Sequence, residues 1–155
     1  MDCGRIEVSD MAALSKNVEY DGQQISLVNP CFLIRHPKGD LLWDTGHKDR
    51  LADIPEGMAA GVWRSSLKTN LVTQLESLGL APKDIEYLSL SHAHPDHSGN
   101  ANKFSNATFI VNKLEHQYMF QKDTMDMFGD GYSALEQSST VFLQKNMMCI
   151  RMAVH

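Results

Sequence analysis

The first apolar–polar alternation, Arg5-Ile6-Glu7-Val8, has the period of a strand with one buried face. Residues 9–30 are mostly polar, with Asp21-Gly22 and Asn29-Pro30 as turn signals, and read as one long loop. Two compact apolar runs, 31–35 and 40–43, flank Pro37-Lys38-Gly39, the pattern of a β-hairpin. Asp44-Thr45-Gly46 ends the second run in a turn. Pro55, Gly57 and Gly61 break up residues 47–64, which are expected to form a loop holding one helical turn. Leu67, Leu71, Leu75 and Leu78 then fall on one helical face, with Ser65 or Ser66 placed to cap it and Gly79 to stop it. Downstream, strands are expected at 86–91, 107–111 and 140–143, a short helix at 98–104 and a longer one at 113–120. Residues 121–139 look irregular and polar. Strands alternating with helices predict an α/β class.

The candidate chemistry sits directly after the 86–91 strand. His92-x-His94-x-Asp96-His97 concentrates three imidazoles and one carboxylate within six residues. In extended chain, side chains two apart point to the same side, so His92 and His94 can grip one cation together. Pro95 keeps His94 extended. Past the proline the chain turns, directing Asp96 and His97 elsewhere, so one short loop offers two ligands to each of two metals. Imidazole nitrogen and carboxylate oxygen suit Zn2+, and also Fe, Mn or Co. Two ions about 3.5–4 Å apart can share a hydroxide and make it nucleophilic near neutral pH. Asp96 is the candidate catalytic residue, binding metal and hydrogen-bonding the hydroxide or the leaving group. A lone histidine is more often a surface or core residue than a ligand. Four donors packed at a strand end repel one another when protonated and are useless for packing, which favours the metal reading. The i, i+4 spacing of helical zinc proteases does not fit. His36, His47 and His116 have no ligand-like neighbours in sequence and read as surface or loop residues.

Composition adds limits. The 155 residues suffice for one domain with a core, and 43% hydrophobic with 21% charged is ordinary for a globular protein. A formal charge of -5 argues against a nucleic-acid partner. No apolar stretch reaches transmembrane length, so no membrane partner is expected. The Met-Asp-Cys-Gly-Arg start shows no signal peptide, so the chain as written is expected in the cytoplasm, or outside it if the natural N-terminus is longer. Cys3, Cys31 and Cys149, an odd count without short spacing, read as free thiols.

At His92-x-His94-x-Asp96-His97 the sequence resembles the metallo-β-lactamase superfamily, whose signature is His-x-His-x-Asp-His. Asp2-Cys3-Gly4-Arg5-Ile6, Pro30-Cys31-Phe32-Leu33-Ile34 and Leu41-Leu42-Trp43-Asp44-Thr45-Gly46 resemble the N-terminal half of its N-acyl homoserine lactonase branch. The resemblance runs to about Gln144. It implies the N-terminal part of an αββα sandwich, truncated here, with a dinuclear zinc site that opens a lactone ring. Carried over, His92 and His94 would serve the first metal and Asp96 and His97 the second, with Asp44 in support, holding the loop or a ligand histidine. Met58 and Trp63 fall in the region that lies over the substrate acyl chain, although ordinary loop packing explains them as well. The implied partner is a small-molecule lactone. Other reactions of the superfamily, on a thioester, phosphoester or β-lactam, stay open, as does a non-catalytic fragment that binds metal weakly.

By the same resemblance, a further histidine, a bridging aspartate and a last histidine are expected from segments beyond about residue 150. Past His116 this sequence offers only His155. The sheet is therefore expected to leave an apolar face uncovered. Residues 145–155 fit no element expected there. Back-translated and moved forward by two bases, they can read Glu-Tyr-Asp-Val, three variable positions and Gly, which resembles the acidic turn and strand of the family. Residues 1–144 are thus expected to form the partial domain, and 145–155 an out-of-frame tail.

Overall fold

The computed structural model describes residues 1–16 and 18–143. Two sheets make up its framework. In the first, β1 (Asp2–Val8) pairs antiparallel with β2 (Ile25–Pro30) on one side and β6 (Trp63–Ser66) on the other, and β5 (Met58–Ala60) pairs with β6. In the second, the hairpin of β3 (Phe32–Ile34) and β4 (Leu41–Trp43) extends through β7 (Tyr87–Ser89), β8 (Thr108–Asn112) and β9 (Thr140–Leu143). From β4 onward the strands of this sheet are parallel. The helices are short: α1 (Leu71–Glu76), α2 (Pro95–Ser98), α3 (Lys113–Met119) and α4 (Lys122–Phe128).

The period of 2 along the second sheet decides where the core lies. Leu42, Leu88, Phe109 and Val111 point to one face and are almost fully buried. Leu71 and Leu75 of α1, Met119 of α3, Phe104, Tyr132 and Leu135 belong to the same cluster. Burying each such side chain stabilises by roughly 1.5–3 kcal/mol. The opposite face is open at the β3–β4 edge, although Ile110 on β8 is buried there. Phe32, Ile34 and Trp43 are 52%, 44% and 46% exposed, and Phe32 lies across from Trp43 with ring centroids 6.2 Å apart. The apolar face expected from the sequence is therefore present.

Several local expectations need correction. Residues 9–30 are not one loop, because their last six form β2, paired in register with β1, with Ile25 and Leu27 alternating toward the less exposed side. Residues 47–64 hold a 3-10 turn at Asp49–Asp53 and also β5 and the start of β6. Ser65 and Ser66 lie in β6, and the cap of α1 is Asn70, whose side chain accepts the Thr73 N–H at 2.8 Å. The helix is shorter than the leucine spacing suggests: Leu67 is buried ahead of it and Leu78 is exposed after it. Within 121–139 lies α4, whose Met125 and Phe128 pack against the core while Lys122 and Asp126 pair on the outside at 2.5 Å. The hairpin, β7, β8, α3 and β9 stand within a few residues of expectation. Residues 145–155, expected to be a non-native tail, lie outside the described residues.

The cysteines are the largest correction. Cys3 and Cys31 are joined in a disulfide, with Cα atoms 5.7 Å apart. The two residues are 28 apart in sequence, and only the β1–β2 pairing, which sets Asp2 opposite Pro30, brings them together. Under denaturing conditions, reduction of this bond should release two thiols that do not titrate before it. Reduction should lower the free energy of unfolding by about 2–4 kcal/mol, measured by urea titration with and without reductant.

Candidate metal centre

In an open parallel sheet, sites form beyond the carboxyl ends of neighbouring strands. β4 and β7 are such neighbours, with Trp43 in register with Ser89. The chain leaves β4 into Asp44 and leaves β7 into the segment from Leu90 to His97. Backbone bonds then stitch the two exits together. The Thr45 N–H donates to the His97 carbonyl at 2.7 Å, and the Gly99 N–H donates to the Gly46 carbonyl at 2.9 Å. Asn100 donates from its side-chain amide to the Thr45 carbonyl at 2.8 Å and the His47 carbonyl at 2.6 Å. The Ser98 hydroxyl donates to the Ala93 and His94 carbonyls, and the Glu115 carboxylate accepts the Ala93 N–H at 2.9 Å. The Asn29 amide reaches the Asp96 carbonyl from β2.

Pro95 opens α2, so the chain is extended through His94 and helical from there, as the proline requires. His92 Nε2 and His94 Nδ1 come within 3.0 Å, and Asp96 Oδ2 and His97 Nε2 within 3.2 Å. The His92 and His97 rings are 4.2 Å apart, so the two pairs adjoin. Two nitrogens on one tetrahedral zinc stand roughly 3.3 Å apart. Each pair therefore has the spacing of two donors to one cation, and both donor types suit zinc. Among the described residues, no group of three or more His, Cys, Asp or Glu side chains is arranged to hold one metal ion.

Asp44 sits beneath this bend. It has a φ of 62°, unusual for a residue with a side chain and tolerated best by Asp and Asn. In that conformation its Oδ1 accepts the Ser91 N–H at 2.7 Å, and its Oδ2 meets the Ser91 hydroxyl and, at 2.9 Å, His97 Nδ1. His97 thus spans two carboxylates, Asp44 on Nδ1 and Asp96 on Nε2. The hydrogen bond to Asp44 and then that to Asp96 hold its imidazole up at about 9, against burial. Burial and then the His97 and His94 charges push His92 below the ordinary histidine value. Burial alone would raise Asp96, but the His97 hydrogen bond and charge prevail and lower it. Against His94 rests the edge of Phe128, at 5.4 Å.

The family model described as "Metallo-beta-lactamase superfamily" matches residues 27–124. The chain belongs to the metallo-beta-lactamase superfamily. Among its superfamily relatives, the N-acyl homoserine lactonase AttM of Azorhizobium caulinodans is 38% identical over 118 residues, 72% of this chain and 44% of that protein. The N-acyl homoserine lactonase of Bacillus cereus is 28% identical over 102 residues, 62% of this chain and 41% of that one. An N-acyl homoserine lactone hydrolase solved with N-hexanoyl-L-homoserine at its catalytic metal center superposes with a TM-score of 0.73 at 22% identity, over 96% of this chain and 60% of that one. The dizinc quorum-quenching lactonase AidC superposes at 0.60 with 20% identity, over 97% and 58%. The chain spans less than half the length of the curated relatives it matches. The fold is that of metallo-beta-lactamase-type lactonases, and zinc is the metal of at least one of them.

The four motif residues and Asp44 come together. Met58 and Trp63 do not join them. They lie on the β5–β6 hairpin, Met58 exposed and Trp63 lining an open groove of about 400 Å³ to which none of the five contributes. His36 is exposed on the hairpin turn, as expected. His116 lies in α3 rather than on a loop and is half-buried, its ring beside Phe109, Phe120 and Phe142 with centroids 4.7–6.4 Å away. His47 is not a surface residue: it is only 9% exposed and feels the charges of Asp96 and His97. Ser91 was overlooked as well, although its place just before the motif marks it as the residue most able to bond Asp44.

The raised His97 value has a consequence for the metal-free chain. Below about pH 6.5 folded and unfolded chains both carry the proton, and the stabilisation from the two carboxylates is fully present. It is lost as pH rises from there through about 9. In chelator, urea titration should show stability falling by about 1–3 kcal/mol between pH 6 and pH 10. Asp44→Asn should flatten that slope.

Proposed function

We propose that this chain carries the metal-binding motif of a lactone hydrolase acting on N-acyl homoserine lactones. The observation that carries the proposal is the paired spacing of His92 with His94 and of Asp96 with His97 on one bend at the end of β7. The superfamily assignment and the lactonases among its relatives support the substrate class. His92 and His94 would hold one zinc ion, and Asp96 and His97 a second.

Bound zinc supplies Lewis acidity, which brings water toward neutral pKa and polarises an ester carbonyl. The residues of the chain do the rest. Asp44 fixes His97 through Nδ1 and leaves Nε2 directed toward Asp96, the arrangement that orients a ligand imidazole and raises its basicity. Ser91 locks Asp44 in turn. Asp96 would accept a hydrogen bond from the attacking water or return one proton to the ring oxygen that leaves. Phe128 rests against His94, which is otherwise exposed.

A catalytic zinc ordinarily has three protein ligands. With two-donor pairs among the described residues, zinc binding by this chain should be weak and turnover low. Competition against a chromophoric chelator should detect zinc at the motif. The double variant His92→Ala, His94→Ala should lower its affinity at least about tenfold. Ring opening of N-hexanoyl-L-homoserine lactone, followed by proton release, should be near the uncatalysed rate. No zinc uptake by the unsubstituted chain would sink the metal reading. Fast turnover would show that further ligands reach the site.

A further inference from the structure

We infer that His47 is a positioning residue for the Asp96–His97 half of the centre, its buried Nε2 held ready to hydrogen-bond the Asp96 carboxylate when a cation is bound. The inference rests on the metal reading above and adds to it a residue outside the His-x-His-x-Asp-His motif.

Three observations carry it. His47 Nε2 is buried and, among the described residues, has no hydrogen-bond partner. A buried polar group without a partner is costly, and native structures rarely keep one without use. Second, the surroundings of the ring are built to admit it. At Gly4, where φ is +130° and the β1–β2 register shifts between Asp2 and Arg5, an added Cβ would lie 2.4 Å from the His47 Cδ2. At Gly46 an added Cβ would lie 2.3 Å from the Cys3 Cβ, so the turn leading into His47 presses directly on β1. The backbone is fixed at both ends of the residue, its N–H donating to the Cys3 carbonyl at 3.1 Å and its carbonyl accepting from Asn100. Third, the ring lies within electrostatic reach of both Asp96 and His97.

An apolar side chain would fill the same space without an orphaned nitrogen, so packing alone does not account for an imidazole here. Asp96 has one oxygen directed at His97 Nε2. A cation seated between those two groups draws on the same oxygen, and the carboxylate must be held from elsewhere. With its proton on Nε2, neutral His47 would supply that donor, directly or through one water molecule. Residues that orient a ligand carboxylate in this way change metal affinity about 10–100-fold when removed.

The test compares His47→Met, similar in volume and without a donor, with His47→Gln, whose amide restores one. Zinc affinity is read by chelator competition and the cobalt(II) spectrum by absorption, both on the full chain. Thermal melts in excess chelator report folding without metal. His47→Met should lose about 10–100-fold in affinity for the more weakly held ion and shift the cobalt spectrum, while melting within a few degrees of the unsubstituted chain. His47→Gln should recover most of the affinity. Unchanged zinc and cobalt binding by His47→Met would overturn the inference and leave the metal reading intact. Equal loss by both variants together with a lowered chelator melt would overturn it in favour of a packing role. No zinc uptake by the unsubstituted chain would instead overturn the metal reading, and this inference with it.

Discussion

The parallel pairing of β4 with β7 is the constraint on which the centre depends. It brings two strand ends side by side, one delivering Asp44 and the other the His92–His97 bend. Neither end would hold its shape alone. The bend turns at Pro95 after only a few extended residues, and its carbonyls at Ala93, Asp96 and His97 are met by donors from Ser98, Asn29 and Thr45. Asp44, in a left-handed backbone conformation, is held by Ser91 and His97. The bonds from Asn29 and Thr45 tie the bend to other segments, so removing one of them loosens two segments rather than one. The imidazoles and carboxylates are thus preorganised by backbone pairing more than by their own contacts.

That organisation also explains the electrostatics. Three imidazoles and two carboxylates within one bend cannot all keep their ordinary charges. His97, between Asp44 and Asp96, takes the proton, and His92 gives it up. The metal-free centre is in this sense a stand-in for the loaded one. A proton on His97 Nε2 occupies the place where a cation would meet Asp96 and His97. Binding must displace that proton, so metal affinity should rise with pH up to the range where His97 gives up its proton unaided.

How much of this was legible in the sequence follows from the range of each interaction. The motif donors were legible because local rules govern them: period 2 along a strand, the effect of Pro95 on His94, the turn that follows. The hairpin and the parallel strands were legible because their apolar runs are compact. β2 was not, since its short apolar run, Ile25, Leu27 and Val28, sits between turn signals and becomes a strand through its pairing with β1. The Cys3–Cys31 bond was not, for the same reason. His47 was misread because its neighbours in sequence are polar, whereas its neighbours in space are Gly4, Cys3 and the motif. Gly4 holds the clue in retrospect: a glycine in an otherwise regular strand marks a bulge or a close approach, and here it marks the ring of His47.

The open face of the second sheet and the two-donor pairs share one geometric origin. The four candidate donors all follow β7, and the turn after β4 adds only Asp44 in support. A cation at His92 and His94, or at Asp96 and His97, would draw two donors from one loop among the described residues. The open face exposes Phe32, Ile34 and Trp43. These side chains are too large and apolar to serve as a solvated surface without cost, and none can donate to a metal. Apolar packing is thus closed where the short helices cover the sheet and open at the β3–β4 edge, while the donors stay paired two by two.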